Sequence, residues 1–175
     1  MQINISEIIS TDYKVQTFNP EIEMEVFCLD GERYNFIRKS PVELKAQNEG
    51  HSVVNFSGHV DVTIDIPCSR CLTSVPTRLA FDFSQKVDFE KLKAEQLDDL
   101  DETSFMEESS LDVDRFVYNE ILMRFPMKTL CREDCKGLCN VCGQNLNTGS
   151  CNCEDTGLDP RMSVVRDLFK NFKEV

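Results

Sequence analysis

Eight of the nine cysteines in this 175-residue chain stand in four close pairs: Cys68 with Cys71, Cys131 with Cys135, Cys139 with Cys142, and Cys151 with Cys153. Four pairs make two tetrads, and a tetrad of thiolates is the donor set that a structural Zn2+ ion takes in a tetrahedron. A C-x-x-C turn delivers two sulfurs from one tight loop whose backbone N–H groups can hydrogen-bond the thiolates. Gly143, directly after Cys142 in "CNVCG", suits such a turn because glycine tolerates a positive φ. The chain is long enough to bury a core without covalent staples, and its 41% apolar content fits one domain, with or without a small appendage. Its start, "MQINISEIIS", shows no basic leader followed by an apolar run, and no stretch approaches the length of a bilayer span. A reducing cytoplasmic compartment is therefore expected. In that setting an odd count of nine cysteines reads as metal ligands, not as a disulfide framework.

Taken as units, the four pairs join into two sites in three ways. We favour Cys139, Cys142, Cys151 and Cys153 as one site, because only eight residues separate its halves and a short loop closes at little entropic cost. The other site is then Cys68, Cys71, Cys131 and Cys135, which ties together segments far apart in sequence. The nearest rival pairs the two C-x-x-C turns with each other, and spacing alone leaves it open. A dithiol oxidoreductase places its C-x-x-C at a helix N-terminus, whereas "CSRC" falls between two strand patterns and "CNVC" in a turn-rich loop. A catalytic zinc keeps a position open for water and recruits His or a carboxylate. The only histidines, His51 and His59, lie in or beside a strand pattern and read as surface residues. Closed structural sites are expected, Cys28 is left over as a small buried apolar residue, and no nucleophile, base and orienting group stand together to make an enzyme.

The elements that must carry these ligands are legible from periodicity. From Val53 to Ile66 apolar residues alternate, with Val54, Phe56, Gly58, Val60, Val62, Ile64 and Ile66 on one face. The alternation resumes with Val75, Thr77, Leu79, Phe81, Phe83, Val87 and Phe89, predicting a long antiparallel hairpin with Cys68 and Cys71 at its tip. Gly58 reads as a bulge or bend. "IEMEVFCLD", "RYNFIRKS" and "VELKAQ" predict shorter strands, with Asp30 and Gly31 as the turn between the first two. Asp112 caps a helix lined by Val113, Phe116, Val117, Ile121, Leu122 and Phe125 and ended by Pro126. A last helix opens at Asp159 and Pro160 and carries Met162, Val165, Leu168, Phe169 and Phe172 as its apolar stripe. The expected class is α+β: an antiparallel sheet region over 1–89, an acidic connector over 90–111, then over 112–175 an amphipathic helix, zinc knuckles and a C-terminal helix.

Charge narrows the partner. The net charge of −12 argues against simple phosphate-backbone binding. It is concentrated: residues 88–114 hold eleven Asp and Glu against two Lys, a local −9 that leaves −3 for the rest. That segment reads as a solvated connector, with a docking strip for a basic partner as the sharper alternative. Cations gather around the cysteines, where Arg70, Arg124, Lys128, Arg132 and Lys136 form a candidate nucleic-acid face. They equally serve to offset the net −2 of each Zn-thiolate tetrad.

"PCSRCL", "LCREDCKGLCNVCGQNLNTGSCNC" and "DPRMSVVRDLF" together resemble the YceD family of large ribosomal RNA subunit accumulation proteins. The resemblance is dense from Pro67 to Phe169, and over the first 50 residues it is confined to strand-like character. It implies a bacterial or organellar cytosolic protein needed for accumulation of large-subunit (23S) rRNA, with no catalytic residues. Its implied partners are that rRNA or its precursor particle and, from the family's usual gene neighbour, a basic zinc-ribbon ribosomal protein. Members differ in how many cysteines they keep, so the resemblance does not make the metal the carrier of the activity. Two mechanisms follow: a factor that offers carboxylates to a basic ribosomal protein, and a zinc-dependent module that touches rRNA through the basic face.

Overall fold

The computed structural model describes residues 1–94, 105–107 and 109–153. The C-terminal helix expected from Asp159 onward lies outside the described residues, as do residues 95–104 and 108 of the acidic connector. The chain divides into two units, one comprising Met1–Ile66 with Ser74–Thr129 and the other Pro67–Thr73 with Leu130–Val175. Among the described residues no helix is long and apolar enough to cross a membrane.

The first unit is built on the long alternating run. Strand β6 (Val53–Pro67) buries Val54, Phe56, Val60, Val62, Ile64 and Ile66, each at most 5% exposed. Strand β7 (Ser74–Asp88) pairs with it. The contacts Asn55–Ser84, His59–Asp82, Asp61–Arg78 and Asp65–Ser74 run in opposite senses along the two strands, as an antiparallel hairpin requires. Strands β2 (Val15–Phe18), β3 (Val26–Leu29), β4 (Glu32–Lys39) and β5 (Glu43–Gly50) complete a six-stranded sheet in the order β2-β5-β6-β4-β3, with β7 on β6. Asp30 and Gly31 join β3 to β4 with φ of 51° and 85°, the pair of left-handed residues that a tight two-residue hairpin turn needs.

On β6 the antiparallel partner changes from β5, opposite residues 53–59, to β4, opposite 62–64. Gly58 sits just before the change, opposite Leu44 in a ladder that is unbroken there, so of the bulge or bend its sequence suggested it makes no bulge against β5. The register shifts lie at Asn48/Gly50 and Phe36/Arg38. Gly58 is needed for space: a Cβ there would stand 1.8 Å from the Glu43 carbonyl oxygen and 2.8 Å from Phe83 Cζ. Backbone cannot yield as a flexible side-chain tip can. Gly58→Ala is therefore expected to destabilise the first unit by about 3 kcal/mol or more, read as a lower denaturation midpoint with an unchanged m value.

Helix α3 (Val113–Arg124) closes the core as its cap predicts, with Asp112 Oδ1 accepting from the backbone N–H of Asp114 and Arg115. Its buried face is Val113, Phe116, Val117, Glu120 and Ile121. Leu122, expected on that face, is 40% exposed, and the buried position falls instead to Glu120, whose carboxylate is held by Arg124 at 2.6 Å. Phe116 meets Phe83 and Phe105 edge to face at 4.9 and 5.2 Å. Phe89 does not continue β7; it is buried at the start of helix α2 (Phe89–Ala94), because Asp88 Oδ1 accepts from the N–H of Glu90 and Lys91 and turns the chain. Cys28 is exposed, since alternation along β3 gives the inward position to Phe27.

Both ends of the segment read as an acidic connector are built into the fold. Short strands β8 (Met106–Glu107) and β9 (Ser110–Asp112) form a small antiparallel sheet with β1 (Gln2–Asn4), and Phe105 and Leu111 are 1% and 0% exposed. Six residues apart in an acidic stretch, they anchor what composition alone describes as solvated. Beside β1, helix α1 (Ser6–Ser10) donates no cap of its own; Asn48, fully buried on β5, gives its amide N–H groups to the carbonyls of Ile8 and Ile9.

Candidate metal centres

All eight paired cysteines lie in the second unit and gather into two groups. The first is Cys68, Cys71, Cys131 and Cys135; the second is Cys139, Cys142, Cys151 and Cys153; within each the sulfurs lie within 4.8 Å of one another. In the first, Cys68 and Cys135 Sγ are 3.8 Å apart and Cys71 and Cys131 Sγ 3.5 Å apart. A Zn–S bond of about 2.3 Å puts the sulfurs of a tetrahedron about 3.8 Å apart, far beyond the ~2.05 Å of a disulfide. The all-sulfur donor set and this spacing fit a tetrahedral metal of zinc's type, with four protein ligands and no position left for water. His51 is exposed and His59 Nδ1 lies 2.8 Å from Asp82, so neither joins a centre.

The two C-x-x-C turns are the same device. The N–H of Leu72 donates to Cys68 O and that of Gly143 to Cys139 O, both at 2.9 Å, and the two donors share the left-handed conformation at φ 58° and 73°. Gly143 adopts it freely, while Leu72, 66% exposed, holds it under strain. The turns point N–H groups at sulfur: Val141 N–H lies 3.4 Å from Cys139 Sγ. Backbone N–H groups of Cys142 and Val141 bring the Cys139 thiol down to about 6. Burial pushes the Cys68 thiol up, but the N–H groups of Arg70, Cys131 and Cys71 outweigh it and set it at about 6. Cys71 is lowered, first by the Thr73 hydroxyl. Their partners move the other way: Cys131 is pushed to about 12 by Cys71 and then by burial, and Cys153 to about 12 by Cys142 and then by burial. The N–H of Cys153 pulls Cys151 down, yet Cys139, burial and Cys142 together raise it. Four thiols this close share protons, and only a cation lets all of them ionise together.

The cations around the tetrads are mostly engaged. Arg70 Nη1 donates to the Cys135 carbonyl at 2.8 Å. Arg132 Nη2 donates to Asn147 Oδ1 at 2.8 Å, and its Nε lies 3.4 Å from Asp134. Arg124, in the first unit, pairs with Glu120 and covers the Phe81 ring at 4.5 Å. Lys128 and Lys136 are exposed. Sequence reading overlooked Thr73, Asn145 and Asn147, which bond to the first centre or to its neighbours. The turn-forming run "QNLNTGS" between Cys142 and Cys151 was the available signal, because Asn side chains in turns bond to nearby backbone and polar groups.

No solved structure matches the chain. The chain is 30% identical to YlbN of Bacillus subtilis over 139 residues, 78% of this chain and 79% of that protein. It is 31% identical over 64 residues to the chloroplastic large ribosomal RNA subunit accumulation protein YCED homolog 1 of Zea mays, covering 36% of this chain and 22% of the maize protein. A Mycobacterium leprae protein is 25% identical over 131 residues, 74% of this chain and 60% of its own length. The profile named for the large ribosomal RNA subunit accumulation protein YceD matches residues 56–169, a span that begins on the long strand and takes in all eight paired cysteines. By that match, over well more than half its length, the chain belongs to the YceD family.

Proposed function

We propose that the protein is a non-enzymatic factor in ribosome biogenesis, needed for accumulation of large-subunit (23S) rRNA, whose second unit is held in shape by two structural Zn(Cys)4 centres. The observation that carries this reading is the pair of closed, all-sulfur tetrads in a chain of a family named for large ribosomal RNA subunit accumulation. A closed tetrad organises a surface and leaves no site for substrate or water. Of the two partners the charge pattern allows, a basic ribosomal protein fits better than bare rRNA. Arg70, Arg124 and Arg132 are spent on internal bonds, while the acidic segment supplies the carboxylates a basic partner needs. Complementary charge speeds the encounter, and competition from rRNA releases the partner.

The test is a titration of nucleic-acid-free protein against basic large-subunit proteins, the zinc-ribbon one included, and against 23S rRNA fragments, each over a salt series. Binding to a basic protein that weakens with salt, and weakens further when acids within residues 95–108 are neutralised, is expected. Micromolar binding to rRNA whose salt slope drops by about 1 on Lys136→Ala would instead establish the direct RNA contact.

A further inference from the structure

We propose that Asn147 couples the two metal centres, carrying a hydrogen-bond donor from the loop closed by the second centre to a sulfur of the first. The inference rests on the two-zinc reading above. The loop in question joins Cys142 to Cys151, both ligands of the second centre. It is folded back on the chain by Cys139 N–H to Gln144 O at 2.8 Å, Leu146 N–H to Gly137 O at 2.9 Å, and Thr148 N–H to Asn145 O at 3.2 Å. Asn147 Oδ1 accepts from the Lys136 backbone N–H and from Arg132 Nη2, both at 2.8 Å.

Those two groups can only donate, so the amide oxygen must face them and the amide nitrogen must face away. Away from them lie Cys135 Sγ, 3.3 Å from Nδ2, and Asn145 Oδ1, 2.9 Å from it. The orientation of the amide is thus determined by its neighbours, and a donor is aimed at a buried sulfur of the first centre. A second thread runs beside it: Asn145 Nδ2 donates to Thr73 Oγ1 at 3.4 Å, and that hydroxyl stands 3.3 Å from Cys71 Sγ.

Two of the four sulfurs of the first centre therefore depend, directly or through one hydroxyl, on a loop whose ends the second centre ties together. Donors to a metal-bound thiolate disperse its charge, and losing one weakens the site. Opening the second centre frees the loop ends and removes that support; by linkage, filling the first favours filling the second. Exposure sets the order of loss. In the first centre Cys68, Cys71 and Cys135 are buried and Cys131 alone is exposed, whereas in the second Cys142 is exposed and Cys139, Cys151 and Cys153 are only half-buried. A chelator in solution reaches the second centre first, and the first centre then loosens.

The experiment uses the full chain loaded with zinc, with release to a chromogenic chelator, and loaded with cadmium-113, whose two resonances report each centre separately. Asn147→Ala is expected to bind two metals and to release that of the first centre about 10- to 100-fold faster. Asn147→Asp keeps acceptors for Arg132 and Lys136 but sets a carboxylate oxygen against the Cys135 sulfur, and it should release at least as fast. A merely structural asparagine would tolerate that change. Cys142→Ser should speed release from the first centre to a similar degree and add nothing to Asn147→Ala. Wild-type release from the first centre in Asn147→Asp, or independent multiplication of the Asn147→Ala and Cys142→Ser effects, overturns the coupling alone. A wild-type chain that binds fewer than two metals overturns the two-centre reading and the coupling with it.

Discussion

Cys68→Ser is expected to leave the chain with one bound metal instead of the proposed two and to strip protease resistance from residues 67–73 and the segment around 131–135, while the sheet keeps its own cooperative transition. The reason is the composition of the second unit's interior. Among its described residues the buried side chains are those of Cys68, Cys71 and Cys135, whereas the large buried apolar residues, from Ile3 to Ile121, all belong to the first unit. Leu138 and Leu146 are half-buried, and Leu72 and Val141 are 66% and 59% exposed. The described part of that unit buries too little apolar surface to offset, by itself, the entropy of ordering its backbone, which costs about 1–2 kcal/mol per residue. Metal coordination can offset it, because the unfolded chain has no preformed site and the binding free energy of a structural zinc, about 10–16 kcal/mol in small peptides, becomes folding free energy. The hydroxyl of serine is a weak ligand for zinc, so Cys68→Ser removes most of that contribution. Elemental analysis, limited proteolysis and denaturation followed by circular dichroism measure the three parts of the result. A chelator-stripped chain whose 130–153 segment resisted protease as the loaded chain does would contradict it.

That division of labour explains which parts of the molecule could be read from the sequence. The hairpin was legible because fourteen residues of strict alternation from Val53 to Ile66 admit one register with the apolar row inward, and a slip of one residue would expose all of it. The Asp30-Gly31 turn was legible because few residue pairs accept two left-handed conformations. The ligand grouping followed from loop length, an argument about the unfolded chain that needs no knowledge of the sheet. What stayed hidden depends on contacts between segments distant in sequence. Strand β1 is three residues long and acquires its meaning from β9, more than a hundred residues away. Phe105 and Leu111 are two apolar residues in a run of acids, too few for a periodicity, and it is Phe116 and its neighbours that make them core. Leu122 lies one position past Ile121, about 100° round the helix from it, so Glu120 and not Leu122 falls on the buried row of Val113, Phe116, Val117 and Ile121, and Arg124 makes its buried carboxylate tolerable. Asn147 was invisible for the same cause: an asparagine in a turn reads as a turn residue until the sulfur opposite it is known.

Acidification is expected to empty both centres. The sign follows from the protons held by the metal-free tetrads. In the second, Cys153 titrates at about 12 and Cys151 is raised above its usual value, so at pH 7 both carry protons that a metal must expel. In the first, Cys131 titrates at about 12 and is protonated at pH 7, while Cys71 is lowered. Each expelled proton makes the apparent affinity fall about tenfold per unit of falling pH. The second centre should therefore lose at least about a hundredfold per unit below neutrality, and the first at least about tenfold from Cys131. The dependence steepens below pH 6 in both, because Cys68 and Cys139 then take up protons as well. Wherever an empty tetrad keeps its folded arrangement, those two lowered thiols stabilise it above the ordinary thiol range, and that contribution fades as pH falls from about 9 to about 6. The raised thiols Cys131 and Cys153 do the reverse, contributing below about 9 and losing it as pH rises toward about 12. Only the metal reconciles the two demands, by making four thiolates the stable state of each tetrad at neutral pH. Calorimetric titration of the stripped chain with zinc, in buffers of different ionisation enthalpy, counts the expelled protons directly. More than two per pair of metals at pH 7 is the expected count; no net proton release would show that the thiols were already ionised and that acid stability has another origin.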